Sequence, residues 1–215
     1  MRPAGVVFDL DGTLVDSRLD LAAAVNATRE RLALPALPVA SVAAMVGEGA
    51  RTLLRRALPD TVVDEAFEAA LALFLDLYYD CSLDATRAYP GIPELLAELS
   101  PRLPLAVLTN KPERHSWRIL EGLGLASHFR QLIGGDTLPV RKPDAAGLHR
   151  IAADFGTNAA QLLLVGDSPI DAATARAAGS ALALVSWGFG TPDQLTGLDG
   201  WRLDAPAELL ALLRP

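Results

Sequence analysis

"VVFDLDGTLVDS", residues 6–17, is the stretch whose reading decides the fold of this chain. Val6, Val7, Phe8 and Leu10 are strand-forming apolar residues, so GVVFDL (5–10) is predicted to be a buried strand that starts the fold. Asp9 and Asp11 arrive where that strand ends, just before Gly12 and Thr13. Side chains alternate along an extended chain, so two carboxylates at this spacing lie on one side of it.

From Ser17 to about Leu83 the pattern turns helical and stays so. Ser17 and Asp20 have the spacing of a capping box. Leu21, Val25, Thr28 and Leu32 then recur at helical intervals, as do Phe67, Leu71, Phe74 and Tyr78. GEGARTLLRRAL (47–58) reads as a further helix, stopped by Pro59. After YPG (89–91) the rhythm changes. Helices are predicted over 92–99, 112–125, 143–156 and 169–179, and strands over 103–110, 130–136, 161–167 and 181–186. Continuous apolar strands separated by helices indicate a parallel sheet covered on both faces. The expected fold is α/β, a Rossmann-like parallel sheet core carrying an all-helical insertion. The expected division is residues 1–16 and 84–215 for the core and 17–83 for the insertion.

Composition sets bounds on function. The chain has 215 residues, 51% of them hydrophobic, which suffices for a packed core. The net charge of −7 argues against a nucleic-acid or anionic-membrane surface. No run approaches the length of about 18 apolar residues that a membrane span needs. The opening MRPAGVVFDLDG is too short and too soon acidic for a signal peptide, so a soluble, cytoplasmic protein is expected. The single Cys81 reads as a small core hydrophobe. His115, His128 and His149 are scattered, with no second ligand at a metal spacing, and read as surface or partly buried.

In sheets of this kind ligands bind beyond the carboxyl ends of the strands. The first strand delivers Asp9 and Asp11 there, the second Thr109, Asn110 and Lys111, and a later one Gly166, Asp167 and Ser168. Lys142 stands before another helix. Pro112, Pro143 and Pro169 occupy plausible first helical positions, where free N–H groups can receive an anion. Carboxylates beside anion-binding elements make sense together if a hard cation sits between them, and oxygen ligands of this kind suit Mg²⁺. One aspartate of the DLD pair can then attack phosphorus, and the other can protonate the leaving oxygen.

These motifs (DLDGTLVD, LTN, the lysine of RKP and GDSPID, in that order) resemble the four motifs of haloacid-dehalogenase-superfamily phosphatases. The resemblance spans essentially the whole chain. It implies Asp9 as nucleophile and Asp11 as general acid and base. It implies Mg²⁺ held by Asp9, the backbone carbonyl of Asp11, and Asp167, with Thr109 and Lys142 on the phosphoryl group. The helical insertion is similar to the cap that closes over small substrates. VGEGARTLLRRAL, AYPGIPELLAEL, LTNKPE and LIGGDTLPVRKPD are similar to bacterial phosphoglycolate phosphatases.

Blander readings stand beside these. Ser168 to Asp171 fit the first four positions of a helix, so Asp171 is as readily a cap as a support for the metal. Asn110 is a candidate phosphate ligand. Arg51, in the segment GEGAR, is a candidate for a substrate carboxylate, with a surface ion pair as its rival. A dehalogenase or phosphonatase would not need Asp11. A sugar-phosphate mutase or a pyrophosphatase shares every core residue, and a non-catalytic phosphate-binding module would tolerate loss of Asp9, Asp11 or Lys142. The expected partner is a small phosphorylated metabolite, with no nucleic acid and no membrane.

Overall fold

A computed structural model describes residues 2–213. The chain opens with β1 (Gly5–Phe8) and a short β2 (Val15–Asp16). Four helices follow: α1 (Arg18–Arg31), α2 (Val39–Ala43), α3 (Ala50–Ala57) and α4 (Asp64–Cys81). The chain then returns through β3 (Arg87–Ala88) and α5 (Ile92–Leu99). Strands and helices alternate from there as β4 (Leu105–Leu108), α6 (Glu113–Gly122), β5 (Gln131–Ile133), α7 (Ala146–Asp154), β6 (Leu162–Gly166), α8 (Pro169–Ala178) and β7 (Ala181–Val185). The last elements are α9 (Pro192–Leu195), β8 (Trp201–Leu203) and α10 (Pro206–Leu212).

Six strands form one parallel sheet in the order β5-β4-β1-β6-β7-β8. Its central strands are apolar throughout because both faces are covered. Alternation sorts their side chains into two cores. Val6, Phe8, Leu105, Val107, Leu163 and Val165 pack into one, which continues into the inserted helices through Leu21, Val25, Leu54 and Phe74. Val7, Ala106, Leu108, Leu162 and Leu164 pack into the other, against Leu148 and Ile151 of α7 and Ala175 of α8. Among the described residues no helix is long and apolar enough to cross a membrane.

The parallel sheet and the helical insertion agree with expectation, and α5 matches its expected bounds. The differences have local causes. Gly47 and Gly49 take left-handed or related backbone angles (φ 122° and 89°), so the third inserted helix starts at Ala50 rather than at residue 47. Pro143 lies three residues before α7 and Pro112 caps α6 from outside it, so of these three prolines Pro169 alone occupies a first helical position. Cys81 is half-buried rather than core, and burial pushes its thiol up to about 11, so it stays protonated at neutral pH.

The expected capping box of Ser17 and Asp20 does not form. Ser17 Oγ turns instead to Asp11 Oδ1 at 2.5 Å. Asp20 is buried and accepts from the backbone N–H of Ala85 and Thr86 and from Thr86 Oγ1, at 2.7 to 3.1 Å. Each such bond to a charged acceptor contributes about 1.5–3 kcal/mol. Asp20 therefore clamps together the two strands of chain that lead into and out of the inserted helices, beside the antiparallel β2–β3 pair.

Candidate active site

From β1 the sheet grows one way through β4 and β5; with β6 it begins to grow the other way. The crevice of such a sheet lies where the order reverses, outside the carboxyl ends of the strands. Here that point falls between β1 and β6. Asp9 follows β1 and Asp167 follows β6, so the topology alone brings these two acids face to face.

Asp9, Asp167 and Asp171 are all buried, and a carboxylate oxygen of each lies within 4.8 Å of the others. Lys142 Nζ reaches Asp9 Oδ1 at 2.9 Å and Asp171 Oδ1 at 2.7 Å. Burial pulls that lysine down, but the carboxylates of Asp171 and Asp9 outweigh it and keep it charged. Burial pushes the Asp9 carboxyl up to about 6, with Lys142 pulling against it and Asp171 adding to it. Asp167 has no cationic partner in the group. Burial, then Asp171 and Asp9, push it up to about 8. Three buried carboxylates against one ammonium leave negative charge uncompensated, and the donors are hard oxygens. That set fits a divalent cation such as Mg²⁺.

Asp171 takes the capping role and a second one that the sequence did not suggest. It forms a true capping box with Ser168 at the start of α8, and it holds Lys142. The Asp11 side chain is not in the acid cluster. It faces Lys111, whose Nζ donates to both carboxylate oxygens at 2.8 and 2.7 Å, and it accepts from Ser17. Lys111 also donates to the hydroxyl of Tyr78 in α4 at 2.7 Å. Thr109 is buried at the end of β4, and its hydroxyl accepts from Lys111 N at 3.2 Å. Asn110 Nδ2 donates to the carbonyls of Gly47 and Lys142 at 2.9 and 3.0 Å, joining the core to the loop before α3.

Two groups missing from the sequence reading complete the site. Phe189 and Gly190 donate backbone N–H groups to Asp167 Oδ2 at 2.6 and 3.3 Å. A Cβ on Gly188 would stand 2.4 Å from that of Asp167, and one on Gly190 would stand 2.0 Å from the Asp167 carbonyl oxygen. The signal was the pair of glycines flanking Phe189 just after a strand. Tyr78 is the other. In the sequence it stands only as part of the apolar stripe of Phe67, Leu71 and Phe74.

A cavity of about 1020 Å³ lies between these residues and the inserted helices. Leu19, Val39, Leu53 and Phe74 give it an apolar wall, and the cations lining it are Arg18, Arg56 and Lys111. Each is paired, with Asp16, Glu48 and Asp11 respectively. Arg51 does not line it. Its guanidinium is exposed and bonds both oxygens of Glu68 at 2.5 and 2.8 Å. Leu53, Leu54 and Ala57 face inward on α3, which turns Arg51 to solvent. His115, expected at the surface or partly buried, is buried, with Nε2 donating to the Leu75 carbonyl at 2.9 Å.

Comparison with known proteins agrees with this geometry. Residues 6–185 match the family described as haloacid dehalogenase-like hydrolase. The chain belongs to that family. It is 45% identical to the phosphoglycolate phosphatase of Rhodospirillum rubrum over 195 residues, 87% of this chain and 81% of that one. It is 42% identical to the phosphoglycolate phosphatase of Chromobacterium violaceum over 214 residues, 97% and 96% of the two chains. A crystal structure of a predicted phosphoglycolate phosphatase from Haemophilus somnus superposes with a TM-score of 0.94 at 31% identity, covering 100% of this chain and 99% of that one.

Proposed function

We propose that this protein is a Mg²⁺-dependent phosphatase that hydrolyses a small phosphomonoester through an aspartyl-phosphate on Asp9. The observation that carries the reading is the buried Asp9–Lys142–Asp171–Asp167 cluster at the switch point of the sheet, with Asp11 two residues beyond Asp9. Asp9, Asp167 and the backbone carbonyl of Asp11 would hold the ion. When bound it offsets charge between the carboxylates and the phosphoryl oxygens. An Asp9 oxygen attacks phosphorus, and the phosphorus–oxygen bond to the alcohol breaks. Asp11 gives its proton to the departing oxygen, then takes one from the water that hydrolyses the aspartyl-phosphate. Lys142 and Thr109 receive the phosphoryl oxygens. We take residues 1–16 and 84–215 as the catalytic core and 17–83 as the cap that covers it.

The names of the two relatives support 2-phosphoglycolate as substrate, giving glycolate and phosphate. A hydrolysis screen over phosphate esters with Mg²⁺ tests this, and 2-phosphoglycolate should give the highest kcat/KM. A higher value on a hexose phosphate would overturn the substrate and leave the phosphoryl chemistry standing. Since Arg51 faces solvent beside Glu68, it drops out as the carboxylate receptor. Arg51→Ala should change kcat/KM for 2-phosphoglycolate by less than about threefold, as expected for an exposed pair. A tenfold loss would restore it to the site.

Metal loading should carry a pH signature. In the metal-free protein Asp167 sits at about 8, so at neutral pH its carboxyl holds a proton. A hard cation needs the ionised form, so binding must expel that proton and tighten as pH rises towards 8. Calorimetry with Mg²⁺ at neutral pH, in two buffers of different ionisation heat, should report release of about one proton per ion. Chelation should stop turnover and Mg²⁺ restore it. Buffer-independent heats, or full activity after exhaustive chelation, would contradict the assignment of Asp167.

A further inference from the structure

Tyr78 belongs to the inserted helices, yet its hydroxyl reaches into the core. It accepts from Lys111 Nζ at 2.7 Å, while the same ammonium donates to Asp11 Oδ1 and Oδ2 at 2.8 and 2.7 Å. A lysine has three N–H donors, and all three have partners here. The contact is buried: Tyr78 is 2% exposed and the Lys111 side chain 4%. The phenol ring cannot shift easily. Phe74 stacks on it at 6.0 Å and His115 at 5.8 Å, with interplanar angles of 3° and 6°. His115 is in turn anchored to the Leu75 carbonyl.

A lysine ammonium is a compact charge on a flexible stem, so by itself it does not fix the direction of its donors. A rigid acceptor on one N–H does so for the other two. We propose that Tyr78 is a positioning residue which, through Lys111, sets the direction in which Asp11 presents its carboxyl group. This deepens the reading above and rests on Asp11 as the group that protonates the leaving oxygen. Because Tyr78 lies in α4, the clamp exists only while the inserted helices sit on the core. Asp11 is thus fully oriented only in the covered site.

Tyr78→Phe removes the acceptor and keeps the ring and its stacking. Kinetics with an alkyl phosphate should show kcat lower by about tenfold, the scale of one hydrogen bond, with KM changed by no more than about twofold. p-Nitrophenyl phosphate, whose leaving group needs little protonation, should change by less than about twofold. In an Asp11→Asn background the substitution should have no further effect, because its route to the reaction is gone. Lys111→Met should reproduce the same pattern at least as strongly. Equal losses on both esters, an undiminished loss in the Asp11→Asn background, or a silent Lys111→Met would each overturn the proposal and leave Tyr78 a packing residue. A wild-type protein that turns over no phosphate ester would overturn the phosphatase reading instead. The clamp is then read from thermal unfolding, where the Tyr78→Phe and Lys111→Met double variant should melt no lower than the worse single one. Additive shifts would overturn it there too.

Discussion

Asp9→Asn should abolish turnover of every phosphate ester while leaving phosphate binding largely intact. An amide oxygen cannot form the acyl-phosphate, so kcat should fall by about 10⁴-fold or more, the scale seen when a nucleophile is removed. Binding should survive, since Thr109 and Lys142 remain in place and Lys142 keeps Asp171 at 2.7 Å. The check is kcat by phosphate release together with the inhibition constant of inorganic phosphate. Residual activity within about 10²-fold of wild type would mean that another group attacks phosphorus.

The second large effect belongs to Asp11. Asp11→Asn should lose about 10²–10⁴-fold in kcat on alkyl phosphates, the usual contribution of a general acid. The loss should shrink on p-nitrophenyl phosphate. The substitution also strips the buried Lys111 of a charged partner, so some stability is lost as well. Thermal unfolding beside the kinetics separates the two effects. Equal losses on both classes of ester, with an unchanged melting temperature, would count against the acid role.

The residues that define the family were legible because each stands at a chain position with a physical meaning. Val6, Val7 and Phe8 form an uninterrupted apolar run, and a strand buried on both faces needs one. Asp9, Thr109 and Asp167 each follow such a run, so their convergence at one edge of the sheet followed from parallel topology. Contacts between distant segments were not legible. Ser17 and Asp20 have local capping spacing, yet their partners are Asp11, Ala85 and Thr86. β2 and β3 are two residues each, too short for any periodicity, and pair across the whole insertion. Phe189 and Gly190 act through backbone N–H groups, which leave no side-chain signature. Arg51 is a different case. The buried face of α3, marked by Leu53, Leu54 and Ala57, places it outward, and that helical phase is written in the sequence.

Nucleophilic attack by Asp9 requires a covalent bond between Asp9 and phosphorus. The direct measurement is to mix the Mg²⁺-loaded enzyme with substrate, quench in acid within a single turnover, and map the peptides by mass spectrometry. A phosphoryl adduct on the peptide that contains residues 6–17, localised to Asp9 and absent from Asp9→Asn, is the predicted result. Full turnover with no adduct on any aspartate at any quench time would contradict it, and would assign the attack on phosphorus to water.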